Sequence, residues 1–327
     1  MVTRSSEEGL IARYFAPLAA PGALGLRDDA ACLTPKPGHD LILTADALVA
    51  GVHFLPDDPP DSIACKALGV NLSDIAAKGA EPVGFLLTLG LPDSWSEPWL
   101  SRFASGLAAA AVESGCGLLG GDTVRAAGPL SLSITAIGQV PSGRMVHRTS
   151  ARPGDRICVS GTIGDAVLGL ALLTGSPAWA AALPEEGRAH AVDRYRKPRP
   201  RLALAPALRA SASAAMDVSD GLVGDLTKMM RASGVGASVD LGAVPYSDVA
   251  RAAIAAEPGL RDRLLTGGDD YEILACVPEA RLDAFLAQAG RSGVPVAVIG
   301  EVTDGDAVIF RENGAVRSFA TGSFSHF

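Results

Sequence analysis

The sequence predicts an α/β protein of two domains with mixed sheets. Three observations carry that prediction. Apolar strand-like runs alternate with helical patterns along most of the chain, which places a layer of helices on each sheet. Leu130 to Val140 sets Leu132, Ile134 and Ala136 against Ser131, Ser133 and Thr135. That period of two predicts a half-buried antiparallel strand, so the topology is not cleanly doubly wound. Residues 141–155 are rich in Pro, Gly and Arg. They predict a connection between a domain at 1–140 and another at 141–327.

Taken in order, Ser5 or Ser6 followed by Glu7-Glu8 caps a first helix through about Leu18. A Gly/Pro-rich loop covers 19–28, and strands are expected at 30–33 and 41–48. A helix begins near Asp61 or Ser62 and stops at Gly79, with Pro82 beyond it. Its apolar stripe is Ile63, Ala67, Leu68, Leu72, Ile75 and Ala76, while Asn71, Asp74 and Lys78 share another face. Residues 83–91 form a nearly unbroken apolar run, hence a buried strand. A helix over 95–114 stops at Gly115, and a short strand over 117–123 ends in Gly120-Gly121-Asp122. In the second half, strands are expected at 156–160, 214–218, 237–241, 272–277 and 296–299. Helices are expected at 163–173, 188–196, 202–212, 222–233, 247–256 and 280–289.

At 327 residues the chain can bury two cores. A net charge of −8 argues against nucleic-acid binding. The five cysteines are scattered and lack a C-x-x-C pair, which suits reduced thiols in the cytoplasm. The first residues lack an apolar signal core, and no apolar run reaches the length of a membrane span. The sequence also lacks the phosphate-binding loop G-x-x-x-x-G-K-[ST], the dinucleotide fingerprint G-x-G-x-x-G after a strand, H-E-x-x-H and G-x-S-x-G.

What remains is a series of carboxylates in short apolar or glycine-flanked settings: Asp28-Asp29, Asp46, Asp74, Asp122, Asp217, Asp220 and Asp269-Asp270. Magnesium takes carboxylates, water and phosphate oxygens, so such a series suits several Mg2+ ions with a polyphosphate. Asp217 and Asp220 flank Ser219 at a strand-to-helix turn, where helix N–H groups can meet an anion. Any one of these aspartates is more often a turn or cap residue. Arg148, in the connection, is as readily a solvated arginine as a phosphate clamp. His53, in a loop rich in Asp and Pro, is by itself an ordinary surface or capping histidine.

Several stretches resemble one known family. They are Arg27-Asp28-Asp29-Ala30, Leu43-Thr44-Ala45-Asp46 through Gly51-Val52-His53-Phe54-Leu55, and Asn71-Leu72-Ser73-Asp74-Ile75-Ala76-Ala77. Gly120-Gly121-Asp122-Thr123, Arg148-Thr149-Ser150, Asp217-Val218-Ser219-Asp220-Gly221-Leu222 and Gly267-Gly268-Asp269-Asp270-Tyr271-Glu272 continue the series. Together they resemble the thiamine-monophosphate kinases, in the superfamily of aminoimidazole ribonucleotide synthetase-like ATP-binding enzymes. The resemblance implies that superfamily's two-domain fold and a homodimer made by its N-terminal domains. It implies ATP as co-substrate, Mg2+, and transfer of the γ-phosphoryl group to thiamine phosphate, the last step in making thiamine diphosphate. It assigns metal binding to Asp29, Thr44, Ala45, Asp46, Asp74, Asp122, Asp217 and Asp220. It assigns ATP contacts to Gly121, Asp122, Arg148 and Ser219, and thiamine phosphate contacts to His53, Asp269 and Phe324. No residue is implied as a covalent nucleophile.

Four departures from the family pattern are visible. Arg27 replaces a usual glycine, Ala45 a usual threonine and Asp269 a usual glutamate, and Phe324 is matched only loosely to a C-terminal aromatic. Two other readings stay open at this point. One is a different ATP enzyme of the superfamily, acting on an amide or carbamoyl oxygen. The other is a nucleotide-binding or structural protein without catalysis.

Overall fold

The computed structural model describes residues 6–320 and 322–323 and divides into two compact units. Unit 1 comprises residues 1–75 and 80–143, and unit 2 comprises 76–79 and 144–327.

In unit 1 the first helix is α1 (Glu7–Leu10), continued by a wider turn at Ile11–Phe15 and a tighter one at Ala16–Leu18. Pro17 removes a donor, so the regular helix cannot persist to Leu18. Ser6 Oγ accepts from Gly9 N at 3.2 Å, whereas Ser5 lies outside the described residues. The expected loop at 19–28 contains a short helical segment, Pro21–Leu26. Residues 30–33 form no strand: Ala30 lies in a bend, and Cys32 N–H donates to the Gly22 carbonyl at 2.9 Å outside any ladder.

The remaining elements of this unit are β1 (His39–Val49), α2 (Pro60–Ala77), β2 (Glu81–Leu91), α3 (Glu97–Ser114), β3 (Gly117–Arg125) and β4 (Ser131–Pro141). The sheet order is β1-β4-β2-β3, with β4 antiparallel to both neighbours and β2 parallel to β3. Ser96 caps α3 and Gly115 ends it in the left-handed region. Alternation divides the sheet into two faces. Phe85, Leu87, Leu89, Leu132, Ile134 and Ala136 are buried. A Cβ on Gly138 would stand 2.9 Å from Ile75, so α2 lies close against β4. On the other face Leu41, Leu43, Leu86 and Val124 are exposed.

Unit 2 contains β5 (Asp155–Ser160), α4 (Asp165–Thr174), α5 (Glu185–Arg196), α6 (Ala205–Ser211), β6 (Ala214–Val218), α7 (Leu222–Ser233), β7 (Gly236–Asp240), α8 (Asp248–Ala256) and α9 (Leu260–Thr266). It continues with β8 (Glu272–Pro278), α10 (Glu279–Arg291), β9 (Val296–Thr303), β10 (Val308–Glu312) and β11 (Ala315–Arg317). The seven strands follow the order β11-β10-β7-β9-β5-β8-β6. Here too alternation separates two cores. Ile157, Met216, Val218, Leu274 and Cys276 pack with residues of α4, α7, α8 and α9. Cys158, Ala215, Ile273, Ala275 and Val277 pack with Leu208 of α6 and Phe285 of α10. The mixed sheets, with helices on one face of the first and on both faces of the second, agree with the expected fold class.

Helix α9 and strands β10 and β11 go beyond the sequence expectation. The β10–β11 hairpin had a readable signal in Asn313-Gly314, whose φ values of 50° and 81° fit the two central positions of a tight hairpin turn. Leu89 is fully buried on a central strand opposite Leu132. Leu89→Ala should lower stability by about 2–5 kcal/mol, measured by urea denaturation. A loss below about 1 kcal/mol would mean that the sheet closes around the cavity.

Candidate functional site

The site residues fall into two sets, one in each unit. In unit 1, Thr44 and Asp46 share strand parity with the buried Ile42 and Leu48. Thr44 Oγ1 donates to Asp74 Oδ2 at 2.5 Å. Asn71, one turn earlier on α2, accepts from the Asp46 N–H through Oδ1 at 3.1 Å. The side chain of Asn71 is itself fixed, since Nδ2 donates to the Ala67 carbonyl at 3.0 Å. Ala45 has the opposite parity and is exposed, so only its main chain is available on the side of Asp74.

Asp28, Asp29, Gly120, Gly121 and Asp122 line one cavity of about 590 Å³ in unit 1, together with apolar residues including Phe15 and Leu118. Gly121 is required there. Its φ is 148°, and a Cβ would stand 1.8 Å from the Leu87 carbonyl oxygen. Strand β3 is also irregular at this point, because the register with β2 skips a residue between Leu118 and Gly120.

His53 sits in the turn after β1. Its Nδ1 accepts from the Val49 N–H at 3.0 Å, which places the ring proton of the neutral form on Nε2.

In unit 2, Asp217 is buried near the end of β6 and Ser219 and Asp220 follow in the turn before α7. A residue not singled out from sequence, Asp225, organises that turn. Its Oδ2 accepts from the N–H groups of Ser219, Asp220 and Gly221 at 3.0, 2.9 and 3.1 Å. Lys228 Nζ donates to Asp220 Oδ2 at 2.5 Å and to Asp225 Oδ1 at 3.0 Å. Burial pushes the Asp225 carboxyl above its usual range, against the pull of Lys228 and the backbone N–H groups. Desolvation works against the Lys228 charge, yet its two carboxylate partners hold the ammonium above its usual value. The signal for Asp225 was an acidic residue in the first turn of a helix.

Asp269 lies in the turn between α9 and β8 at φ 74°. Its N–H donates to the Ser219 carbonyl at 2.8 Å, so the two predicted loops of this unit are joined through the main chain. Arg148 is exposed, and its carbonyl accepts from Ser233 Oγ at 3.2 Å. Phe324 lies outside the described residues.

Among the described residues, no three His, Cys, Asp or Glu side chains gather closely enough to share one metal ion. Magnesium does not demand such a cage, since it usually binds through one or two carboxylates, water and substrate phosphates. The donors present are hard oxygens: a hydroxyl paired to a carboxylate at Thr44–Asp74, and Asp29 with Asp122 around one cavity. That chemistry fits Mg2+.

The model of the AIR synthase related protein, N-terminal domain, matches residues 27–140, and that of the C-terminal domain matches 152–312. A thiamine-monophosphate kinase of Caulobacter vibrioides is 45% identical over 303 residues, covering 91% of this chain and 84% of the relative. The chain belongs to the thiamine-monophosphate kinases of the AIR synthase related family.

A thiamine-monophosphate kinase structure from Stenotrophomonas maltophilia is similar with a TM-score of 0.80 and 41% identity, covering 89% of this chain and 91% of that one. A structure of AaThiL complexed with AMPPCP and TMP has a TM-score of 0.79 and 29% identity, covering 98% and 97%. Among the thiamine-monophosphate kinases, then, this chain is matched over nearly its full length.

Asp225 offers a test of the turn it organises. Asp225→Ala would strand three N–H groups and Lys228, so stability should fall by about 2–4 kcal/mol in thermal or urea unfolding. A loss under about 0.5 kcal/mol would show that the turn holds without it.

Proposed function

We propose that this chain transfers the γ-phosphoryl group of ATP to the phosphate of thiamine phosphate, giving thiamine diphosphate. Family membership supports the reading, as does the relative bound to AMPPCP, an ATP analogue, and TMP. The observation within this chain that carries it furthest is the unit 1 cavity, where Asp29 and Asp122 flank a backbone that only Gly121 permits.

Two anions must meet in line, so the barrier is one of charge and position. An acceptor phosphate oxygen attacks the γ-phosphorus directly as the bond to ADP breaks, with no phosphoenzyme between. Asp29, Thr44, Asp46, Asp74, Asp122 and the main chain of Ala45 in unit 1, and Asp217 and Asp220 in unit 2, would hold Mg2+ ions that neutralise phosphate charge. Gly121 and Asp122 bind ATP, Ser219 contacts it from the turn that Asp225 holds, and the Arg148 guanidinium clamps a phosphate. His53, with its proton on Nε2, donates to the acceptor phosphate. Asp269 faces the cationic thiazolium ring.

Asp46→Asn, Asp74→Asn and Asp122→Asn should each reduce kcat about 100-fold or more, near 3 kcal/mol of barrier, with folding retained. Near-normal turnover of all three at saturating Mg2+ would sink the carboxylate assignment. Asp269→Asn should raise KM for thiamine phosphate and leave that for ATP nearly unchanged. Thiamine itself should be a poor acceptor.

The proposal includes a homodimer formed by the 1–140 region. Leu43 is 64% exposed and shares a sheet face with Leu41, Leu86 and Val124. An identical face on a second copy would cover this patch through a two-fold contact. Leu43→Glu should yield monomers in sedimentation equilibrium. A parent protein that sediments as a monomer, or a variant that remains dimeric, would refute this contact. The cytoplasm is the proposed location, since all five cysteines are free thiols and none of the described helices is long and apolar enough to cross a membrane.

A further inference from the structure

The turn 267–271 in unit 2 is held in an unfavourable backbone conformation. Asp269 and Tyr271, both with side chains, have φ of 74° and 51°. Such angles persist only where surrounding contacts over-determine them. On one side the main chain is tied to the end of β6. Asp269 N–H donates to Ser219 O and Tyr271 N–H to Val218 O, each at 2.8 Å. The approach is close enough that a Cβ on Gly268 would meet the Ser219 carbonyl oxygen at 2.3 Å.

On the other side stands a buried charged network. Both oxygens of the Asp270 carboxylate lie 2.9 Å from the Gly164 N–H, just before α4. Arg194 Nη2, from α5, donates to the Asp270 carbonyl at 3.1 Å and to Glu272 Oε1 at 2.9 Å. Glu272 has no exposed surface and also accepts from Arg201 through Nε at 2.7 Å and through Nη2. Ser160 Oγ donates to Glu272 Oε2 at 2.6 Å.

These groups do not belong to the proposed metal or ATP sets. Buried ion pairs are a poor way to gain stability, because the cost of desolvation offsets much of the attraction. What they supply here is geometry: Arg194 Nη2 ties the main-chain carbonyl of Asp270 to the Glu272 side chain, across residue 271. The turn before α7 has its own anchor in Asp225, so the two loops are secured by different carboxylates.

We propose that Asp270, with Arg194 and Glu272 behind it, is a positioning device that sets the 267–271 turn and thereby aims Asp269 at the thiamine phosphate acceptor. The inference rests on the acceptor role given to Asp269 above. Asp270 acts through the turn and does not touch the substrate. Because the Asp225 anchor is separate, loss of Asp270 disturbs the acceptor side and leaves ATP binding in place.

The test uses the full-length protein and four variants, with steady-state kinetics and amide hydrogen exchange. Asp270→Ala should raise KM for thiamine phosphate about tenfold, with KM for ATP and kcat within about twofold. Exchange in the peptide spanning 267–271 should quicken about tenfold, while that of β5 and α7 stays as in the parent. Asp270→Asn keeps an oxygen acceptor for the Gly164 N–H and should restore both readouts to within about threefold of the parent. If Asp270→Ala does not fold, Arg194→Lys gives the same reading, since it keeps a charge opposite Glu272 but loses the Nη2 that bridges Glu272 to the Asp270 carbonyl.

A parallel rise in both KM values with faster exchange throughout unit 2 would mean a merely structural role and overturn the inference. So would unchanged exchange in the turn, or an Asn variant as impaired as Ala. Asp269→Asn separates the two levels. If it leaves KM for thiamine phosphate unchanged, the acceptor reading fails and the inference falls with it. If it raises that KM while the Asp270 and Arg194 variants are silent, the inference alone fails.

Discussion

The buried Glu272 carboxylate is the constraint on which much of unit 2 depends. Two arginines and a serine converge on it from α5, the segment before α6 and the end of β5. Ser160 Oγ in turn accepts from the Ile273 N–H at 2.8 Å, so the first residues of β8 are fixed by side chain and main chain together. A carboxylate with no exposed surface carries a desolvation cost of several kcal/mol that only such a full set of donors can offset. Removal of either arginine would leave the buried Glu272 carboxylate with one counter-ion and an unfilled acceptor site, which is worse than never having placed the charge there. The network therefore specifies one arrangement of β5, α5 and β8 more than it adds to total stability.

Unit 1 solves a different problem. Its carboxylates at 28, 29 and 122 are exposed, and each keeps contact with water. Under the proposed function Asp29 and Asp122 meet hydrated cations, and such carboxylates are best left wet, because dehydrating both ligand and ion would cost more than their attraction returns. The rigid part lies in the backbone: the tight approach of Gly121 to Leu87, the irregular register of β3, and the fixed pair Thr44–Asp74. An acidic chain that binds polyphosphates needs cations between the two, and a net charge of −8 makes that requirement general across the surface.

Much of this was legible in the sequence where local chemistry and tertiary need coincide. The alternation at 131–140, the Gly115 stop of α3, and Gly79 after α2 each had one physical meaning, and the structure follows it. Elements governed by partners distant in sequence were harder. Residues 30–33 are apolar enough for a strand but find no ladder neighbour. The first helix starts as its caps indicate, then changes pitch at Ile11 and again at Ala16. The aspartates in the motifs stood out because glycine and apolar neighbours isolate them. Arg194 and Arg201 did not, since each looks like one more cation in a basic stretch from 188 to 201. Only the fold shows that these two turn inward to Glu272.

Three departures from the family pattern acquire physical accounts from the backbone. Arg27 stands at φ −113°, ordinary for any L residue, and its side chain is exposed, so the usual glycine is not required by conformation. Ala45 points to the sheet face opposite Asp74, so a threonine hydroxyl there would not have joined the Thr44–Asp74 pair. Asp269 is the most instructive of the three. Left-handed backbone disfavours side chains in general, but aspartate tolerates it better than most, because its short polar group can bond locally. At φ 74°, aspartate therefore relieves part of the strain that glutamate would impose, at the cost of about one methylene of reach. The acidic group is kept, and the shorter arm makes its placement depend more heavily on the turn that carries it.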